Sequence, residues 1–543
     1  MSIAPRDPLP LGLDLEPAAT GSPKLMSRIE RASTMTDFIT AGLLLLVVIG
    51  SGLVHLESFP PLWFDEGWTV CVARTWVETG HHGCLLRGEP APPSLAAHFP
   101  VIASVAASFK LFGIGIWQAR VVGLLYTFGA LLLLYVVARR IYSHPVAIAA
   151  LLLLIVVPLK WSIHPLFIGR QVLGEMPMLC FLLAGFACVL RSEKQRGWLA
   201  AAIVCWSLAW WTKGQLAPFF VASLTGAAMW AGFRGDWFTV RRVAVLLGGS
   251  WAGYRFLVAT KDLLLAGHTM PHPPVDGMTE AIALVFVPSI RLETIRHMLA
   301  TWPEYTIGLG YAAWGLWRPD PFPHSRSTEP LERTVRVMLL ILSISWLAWF
   351  AFLCAGEPRY ALPGLFIAAP FAAATLYEFT HGFSVMFLWG ALSDLVRTRP
   401  ITREGIQAAV VVALLAVMGW VAVQERYAFR AREDERDLFA LTDYLRAATP
   451  STALIETYDS ELFLFLDRPY TYAPPKVLVD VIRHEQYPEW PVTYDPLEAR
   501  PDVLVVGEYG RWAGFYKPLI QQGRIRLVAT IGRYQVFEPV GSE

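Results

Sequence analysis

The sequence predicts a polytopic α-helical membrane protein of about eleven spans that ends in a small α/β soluble domain. Three observations predict it. Apolar residues make up 55% of the 543 and charged residues only 16%, a balance unlike that of soluble domains. Apolar runs close to the ~20 residues that a helix needs to cross a bilayer recur through most of the length. After about residue 424 the composition shifts to a charged and mixed pattern. The formal net charge of +1 gives no footing for a nucleic-acid partner. Six cysteines are scattered without a Cys-x-x-Cys or His/Cys pattern, which argues against structural zinc.

Residues 1–36 are polar and aperiodic, and are expected to form a disordered cytoplasmic tail. Lys24, Arg28 and Arg31 precede the first apolar run, at 38–56. That run begins too far in, and is too long, for a cleaved signal peptide, so it reads as the first span. A first outer loop follows at 57–116, broken by Gly and Pro. Within it the apolar stretch 98–112 is too short to span, and is expected to lie in the interface with the bilayer. Further spans are expected at 117–137, 145–161, 174–190, 197–211, 216–231, 243–260, 301–317, 337–354, 361–377 and 406–423. With the loop kept outside, the Arg-rich turns after 137, 190, 231, 317 and 377 fall on the cytoplasmic side, as the positive-inside rule requires. A span at 98–112 would invert this arrangement. The membrane region is thus 37–424. The remainder, 425–543, is expected to be extracytoplasmic, with an amphipathic helix at 434–446 and strands at 453–457, 502–507, 526–531 and 534–538. Cys71 and Cys84 share the first outer loop, an oxidising compartment in this topology, and are expected to pair as a disulfide; two buried free thiols are the alternative.

This topology gathers a small set of polar residues at the outer face. Asp65 and Glu66 stand among Trp63, Phe64 and Trp68 just past the first span, where aromatics favour the interface and carboxylates need compensation. Arg170, Glu175, Lys213, Glu357 and Arg359 flank other spans on the same side. Paired carboxylates can act as a general base or hold a divalent cation through oxygen. Arg and Lys suit phosphate. The combination suits a substrate whose sugar and phosphate lie at the membrane surface with a lipid tail in the bilayer. Asp65 would activate an acceptor hydroxyl; Arg170, Lys213 and Arg359 would steady the charge on a departing phosphate. The bland alternatives are a helix cap at Asp65–Glu66, an Arg170–Glu175 ion pair, a snorkelling Lys213 and an interface anchor at Arg359. His81, His82, His268 and His272 lack ligand spacing and read as loop residues.

Several segments resemble one family. The Asp65–Glu66 pair after the first span resembles the acidic motif in the first outer loop of GT-C glycosyltransferases. The likeness is closer to the branch holding protein O-mannosyltransferases and the lipid A aminoarabinose transferase (glycosyltransferase family 39). Gly88-Glu89-Pro90-Ala91-Pro92-Pro93, then Phe109-Lys110-Leu111-Phe112-Gly113 and Ala119-Arg120, resemble its interfacial segment. Gly169-Arg170 with Glu175 resembles its second acidic motif. Thr212-Lys213-Gly214 and Arg359-Tyr360-Ala361-Leu362-Pro363 resemble two further turns. Ala91 departs from the His usual there, and Glu175 lies further from Arg170 than is typical.

The resemblance implies a GT-C-like fold. It also implies an inverting transfer from a polyprenyl-phosphate sugar to a protein, lipid or glycan acceptor at the outer face of the plasma (inner) membrane. Asp65, Glu66 and Glu175 would be the catalytic carboxylates, and Arg170, Lys213 and Arg359 the donor-phosphate site. A divalent metal cation, with Asp65 and Glu175 as ligands, is a candidate cofactor. The rival class is a transporter or flippase for lipid-linked sugars. It would place charges deep within spans and repeat the fold, and the sequence does neither.

Overall fold

The computed structural model describes residues 39–541 except 40, 47, 157–162, 194, 271–274, 317–329, 398–401 and 431–435. The expected N-terminal tail, His272 and part of the first expected span lie outside the described residues.

The first outer loop opens with helix α1 (Phe64–Thr79). Trp63 is extended at its N-cap, Asp65 and Glu66 occupy its first turn, and Gly80 stops it in the left-handed conformation. Acidic residues in a first turn complement the helix dipole. A hairpin of β1 (Cys84–Leu86) and β2 (Glu89–Ala91) follows, pairing Leu86 with Glu89. Arg87 and Gly88 both have positive φ, the pattern of a two-residue hairpin turn. Helix α2 (Phe99–Phe112) is the expected short apolar segment; its 14 residues are fewer than a bilayer needs.

The membrane region comprises α3 (Ile116–Ile141), α4 (His144–Ile155), α5 (Pro165–Arg170), α6 (Glu175–Arg191), α7 (Gly197–Thr212), α8 (Leu216–Phe233) and α9 (Trp237–Leu264). It continues with α10 (Met278–Ala283), α11 (Pro288–Thr301), α12 (Pro303–Gly315), α13 (Pro330–Phe352), α14 (Leu362–Phe379), α15 (Val385–Arg397) and α16 (Arg403–Arg430). A helix stands at each of the ten expected spans after the first loop. Six of the described helices are long and apolar enough to cross a membrane, and others are shorter. The span at the start of α14 is 89% buried, so this helix is the centre of the bundle. Gly308 lets α12 approach it closely: a Cβ there would come within 2.6 Å of the Ala372 Cα. Helices α5, α10, α11 and α15 were not anticipated. They lie in stretches where hydropathy is too weak or too short to mark a span.

The C-terminal region contains α17 (Arg436–Ala448), β3 (Ile455–Thr457), α18 (Leu462–Phe465), β4 (Tyr470–Thr471), α19 (Pro475–Gln486) and β5 (Val503–Val506). It ends with α20 (Glu508–Ala513), α21 (Lys517–Gln521), β6 (Ile525–Ile531) and β7 (Tyr534–Pro539). The strands form one sheet in the order β4-β3-β5-β7-β6. The first three are parallel and the rest antiparallel. All four expected strands are present. The sheet does not stand apart from the first outer loop. Phe64, Trp68, Val72 and Val105 share one continuous core with Leu441, Ile455, Phe463 and Val505. Cys71 and Cys84 lie buried in this core as free thiols. The expected disulfide is therefore not formed; both side chains pack as small apolar groups.

Three carboxylates are buried beside this sheet. Burial pushes Glu456 and Glu461 up to about 8 and Asp459 to about 6. In an unfolded chain such groups ionise near ~4. The folded state then holds more protons over the interval, so stability is full below the unfolded pKa and falls as pH rises through the folded one. The apparent melting temperature of the purified protein should fall between about pH 5.5 and pH 8.5. Glu456→Gln should flatten part of that slope. A melting temperature that climbs across the interval in both proteins would contradict the assignment.

Candidate active site

Adjacent residues on a helix point about 100° apart, and Asp65 and Glu66 accordingly go to different places. Glu66 turns inward. It meets Arg120 of α3 in a two-pronged ion pair, Nε to Oε1 and Nη2 to Oε2, both at 2.9 Å. Neither side chain has any exposure. The remaining Arg120 nitrogen donates to the carbonyls of Leu56 and Glu57. The backbone N–H of Val172 and that of Trp63 donate to Glu66. Every polar atom of the pair is thus matched, as a buried charge pair requires.

Asp65 turns outward to a cavity of about 1910 Å³. The cavity also receives Glu175 from the first residue of α6, Lys213 from the turn after α7, and Arg359 from the 3-10 turn Pro358–Ala361. These four form two ion pairs. Arg359 donates to Asp65, and Lys213 Nζ lies 2.6 Å from Glu175 Oε1. The side chain of Glu175 is only 2% exposed, whereas that of Asp65 is 27% exposed. Of the two carboxylates, Asp65 is the one an incoming molecule can reach. The Arg359 guanidinium lies over the Trp63 and Tyr360 rings at 5.6 and 5.2 Å. Lys213 Nζ is 5.7 Å from the Tyr360 ring. These cation–π contacts hold both cations in place.

Two expected site residues do not join the cavity. Glu66 is committed to Arg120. Arg170 donates to the carbonyls of Ser51 and Phe59 and lies 5.6 Å over the Phe59 ring. It braces the loop at 51–59 and is not part of the charged centre, and the alternative Arg170–Glu175 ion pair is not formed either, since Glu175 pairs with Lys213. Among the described residues no three His, Cys, Asp or Glu converge in a way that could hold a metal ion. Asp65 and Glu175 face cations rather than each other, so their donor set is that of salt bridges, not of an oxygen cage.

The C-terminal region completes the site, and sequence reasoning missed this. Ser460 Oγ donates to the Phe64 carbonyl at 2.6 Å, one residue before Asp65. A Cβ at Gly67 would come within 2.5 Å of the Ser460 carbonyl carbon. Tyr509 packs edge-on to Trp63 at 5.4 Å and tilted on Phe64 at 5.0 Å. Ile482, Glu485, Gln486, Glu508 and Trp512 reach the cavity from α19 and α20.

Residues 98–251, from α2 into α9, match the family model of dolichyl-phosphate-mannose-protein mannosyltransferases. Solved structures extend the likeness over nearly the whole chain. ArnT from Cupriavidus metallidurans, bound to undecaprenyl phosphate, superposes with a TM-score of 0.55 at 16% identity, covering 93% of this chain and 98% of that one. The chain has the GT-C glycosyltransferase fold. The Archaeoglobus fulgidus oligosaccharyltransferase, tethered to an acceptor peptide, shares this fold with a TM-score of 0.51 at 13% identity, over 92% of this chain and 74% of that one. No curated protein sequence matches the chain. The expected resemblance to GT-C enzymes is therefore borne out. The family-model match contains Arg120, Glu175 and Lys213, while Asp65 and Arg359 lie on either side of it.

Breaking a buried charge pair from one side leaves an uncompensated charge. Glu66→Gln should cost about 3–5 kcal/mol of stability. The double variant Glu66→Leu with Arg120→Met should recover most of that loss. Thermal unfolding of the detergent-purified variants measures both, and a single variant as stable as wild type would remove the clamp.

Proposed function

We propose that the protein is an inverting membrane glycosyltransferase that moves a sugar from a polyprenyl phosphate to an acceptor hydroxyl at the outer face. One observation carries this reading. A large cavity at the ends of apolar helices gathers two carboxylates and two cations at its centre, with Asp65 accessible and Arg359 and Lys213 beside it. The fold it shares with other GT-C glycosyltransferases supports the same reading.

Asp65 accepts the proton of the acceptor hydroxyl as its oxygen attacks the anomeric carbon. The bond from that carbon to the phosphate oxygen breaks, and the polyprenyl phosphate leaves with the electron pair. A single displacement of this kind inverts the anomeric centre. Arg359 and Lys213 receive the charge that develops on the phosphate, where preorganised donors are most effective. A bound phosphate competes with Asp65 and Glu175 for these two cations. Donor binding thereby loosens the Asp65–Arg359 contact and makes the carboxylate a better base. Apolar side chains from the membrane helices, among them Phe219, Phe350 and Leu353, suit the start of the lipid chain.

In this reading the chain crosses the plasma (inner) membrane about eleven times between 37 and 424. The site and residues 425–543 are extracytoplasmic, and 1–36 are cytoplasmic. A C-terminal fluorescent protein that matures only in the cytoplasm should stay dark. A bright fusion would overturn the orientation.

Asp65→Asn keeps the size of the side chain and removes its basicity. Sugar transfer from a polyprenyl-phosphate donor should fall about a hundredfold or more, with folded yield unchanged and polyprenyl phosphate still bound. Arg359→Ala should instead weaken polyprenyl-phosphate binding. Near-normal turnover by Asp65→Asn would refute the assignment of the base.

A further inference from the structure

The charges lining the cavity do not balance away from its centre. Asp65 and Glu175 are matched by Arg359 and Lys213. Among the described residues, the other charged lining side chains are Glu293, Glu357, Glu485 and Glu508 against Arg296. Arg296 stands three positions from Glu293 on α11, one helical turn away. Glu508 Oε2 lies 3.8 Å from Arg533, but its side chain is 71% exposed, where such a pair contributes little. The rim contributed by α19, α20 and the turn before Arg359 is therefore acidic.

Beside this acidic rim are flat aromatic faces. Trp512 is 41% exposed and shares α20 with Glu508 and Tyr509. Gln486, one residue from Glu485, is anchored by donating to the Ala281 carbonyl at 2.8 Å, which ties α19 to α10 across the cavity wall. An anionic acceptor approaching over this rim would meet like charge from Glu357, Glu485 and Glu508 before it reached the paired centre. A saccharide without charge would not. Its hydroxyls can donate to Glu485, Glu508 and Glu357, and its apolar ring face can lie on an exposed indole.

We infer that the α19–α20 rim is the acceptor subsite, and that it takes an uncharged saccharide rather than a phosphorylated or carboxylated one. This rests on the transferase reading and adds the substrate class to it. The acceptor enters between α20 and the Arg359 turn, stacks on Trp512, and presents one hydroxyl to Asp65. The lipid-linked donor lies on the opposite side, against the membrane helices.

The test uses the full chain, purified in detergent and applied to a printed array of neutral, phosphorylated, sulfated and carboxylated glycans. Neutral glycans should be retained, and anionic forms of the same glycans should bind at least about tenfold more weakly, the factor that ~1.4 kcal/mol of repulsion would give. Trp512→Ala should lose the neutral signal. Glu485→Gln combined with Glu508→Gln should raise the signal of the anionic glycans relative to neutral ones. Preferential retention of anionic glycans would overturn the proposal. A competing lysine-rich peptide that displaces the neutral glycans and binds more tightly would also overturn it, in favour of a basic peptide acceptor. Binding of polyprenyl phosphate is measured on the same preparation. If the lipid binds and no neutral glycan does, the acceptor assignment alone fails; if the lipid does not bind either, the transferase reading fails with it.

Discussion

The cavity depends on the buried ion pair between Glu66 and Arg120. Two charges with no exposure are expensive to remove from water, and their attraction offsets that cost only when the geometry is good and every other polar atom is matched. Here the carboxylate meets the guanidinium on two parallel bonds, and backbone groups at 56–57, 63 and 172 take up what remains. The pair therefore fixes the first turn of α1 against α3, the chain at 56–57 and the loop at 172. Asp65 is the next residue along. Its direction into the cavity follows from the anchoring of its neighbour, so two adjacent acids of one motif take different places, Glu66 in the core and Asp65 on the cavity.

The C-terminal sheet takes part in the same arrangement from the other side. Ser460 holds the Phe64 carbonyl, and Tyr458 and Tyr509 pack on the Phe64 ring. Gly67 leaves room for this approach. The first turn of α1 is thus gripped between a membrane helix and a soluble sheet that begins nearly four hundred residues later. A shared hydrophobic core, rather than a linker, joins the two regions.

Much of this was legible in the sequence. Helix positions followed from hydropathy, because long apolar segments have few alternatives in a bilayer. Four strands followed from short apolar and β-branched runs; β4, of two residues, carries too little pattern to be read. The hairpin at 84–91 was readable from Arg87-Gly88 and was missed. Asp65, Glu175, Lys213 and Arg359 stood out because a charge beside an apolar helix needs a reason. The separate roles of Glu66 and Arg170 did not, since sequence adjacency says nothing about which way a side chain points around a helix. Arg120, at the start of an apolar helix, looked like part of a family motif and not like the partner of Glu66. The contacts made by Ser460, Tyr509 and Trp512 are long-range, and no local spacing encodes them.

The two ion pairs at the cavity centre have a consequence for turnover as well as for binding. A pocket of unpaired cations would keep a lipid phosphate after the sugar had left, and the enzyme would be slowed by its own product. In the proposed reaction each cation has a carboxylate at hand to replace the phosphate. Asp65 and Glu175 would then compete the spent lipid away, and the centre would return to neutrality without water having to solvate bare charges. Affinity for the donor is lower for the same reason, so the site exchanges tight holding for release.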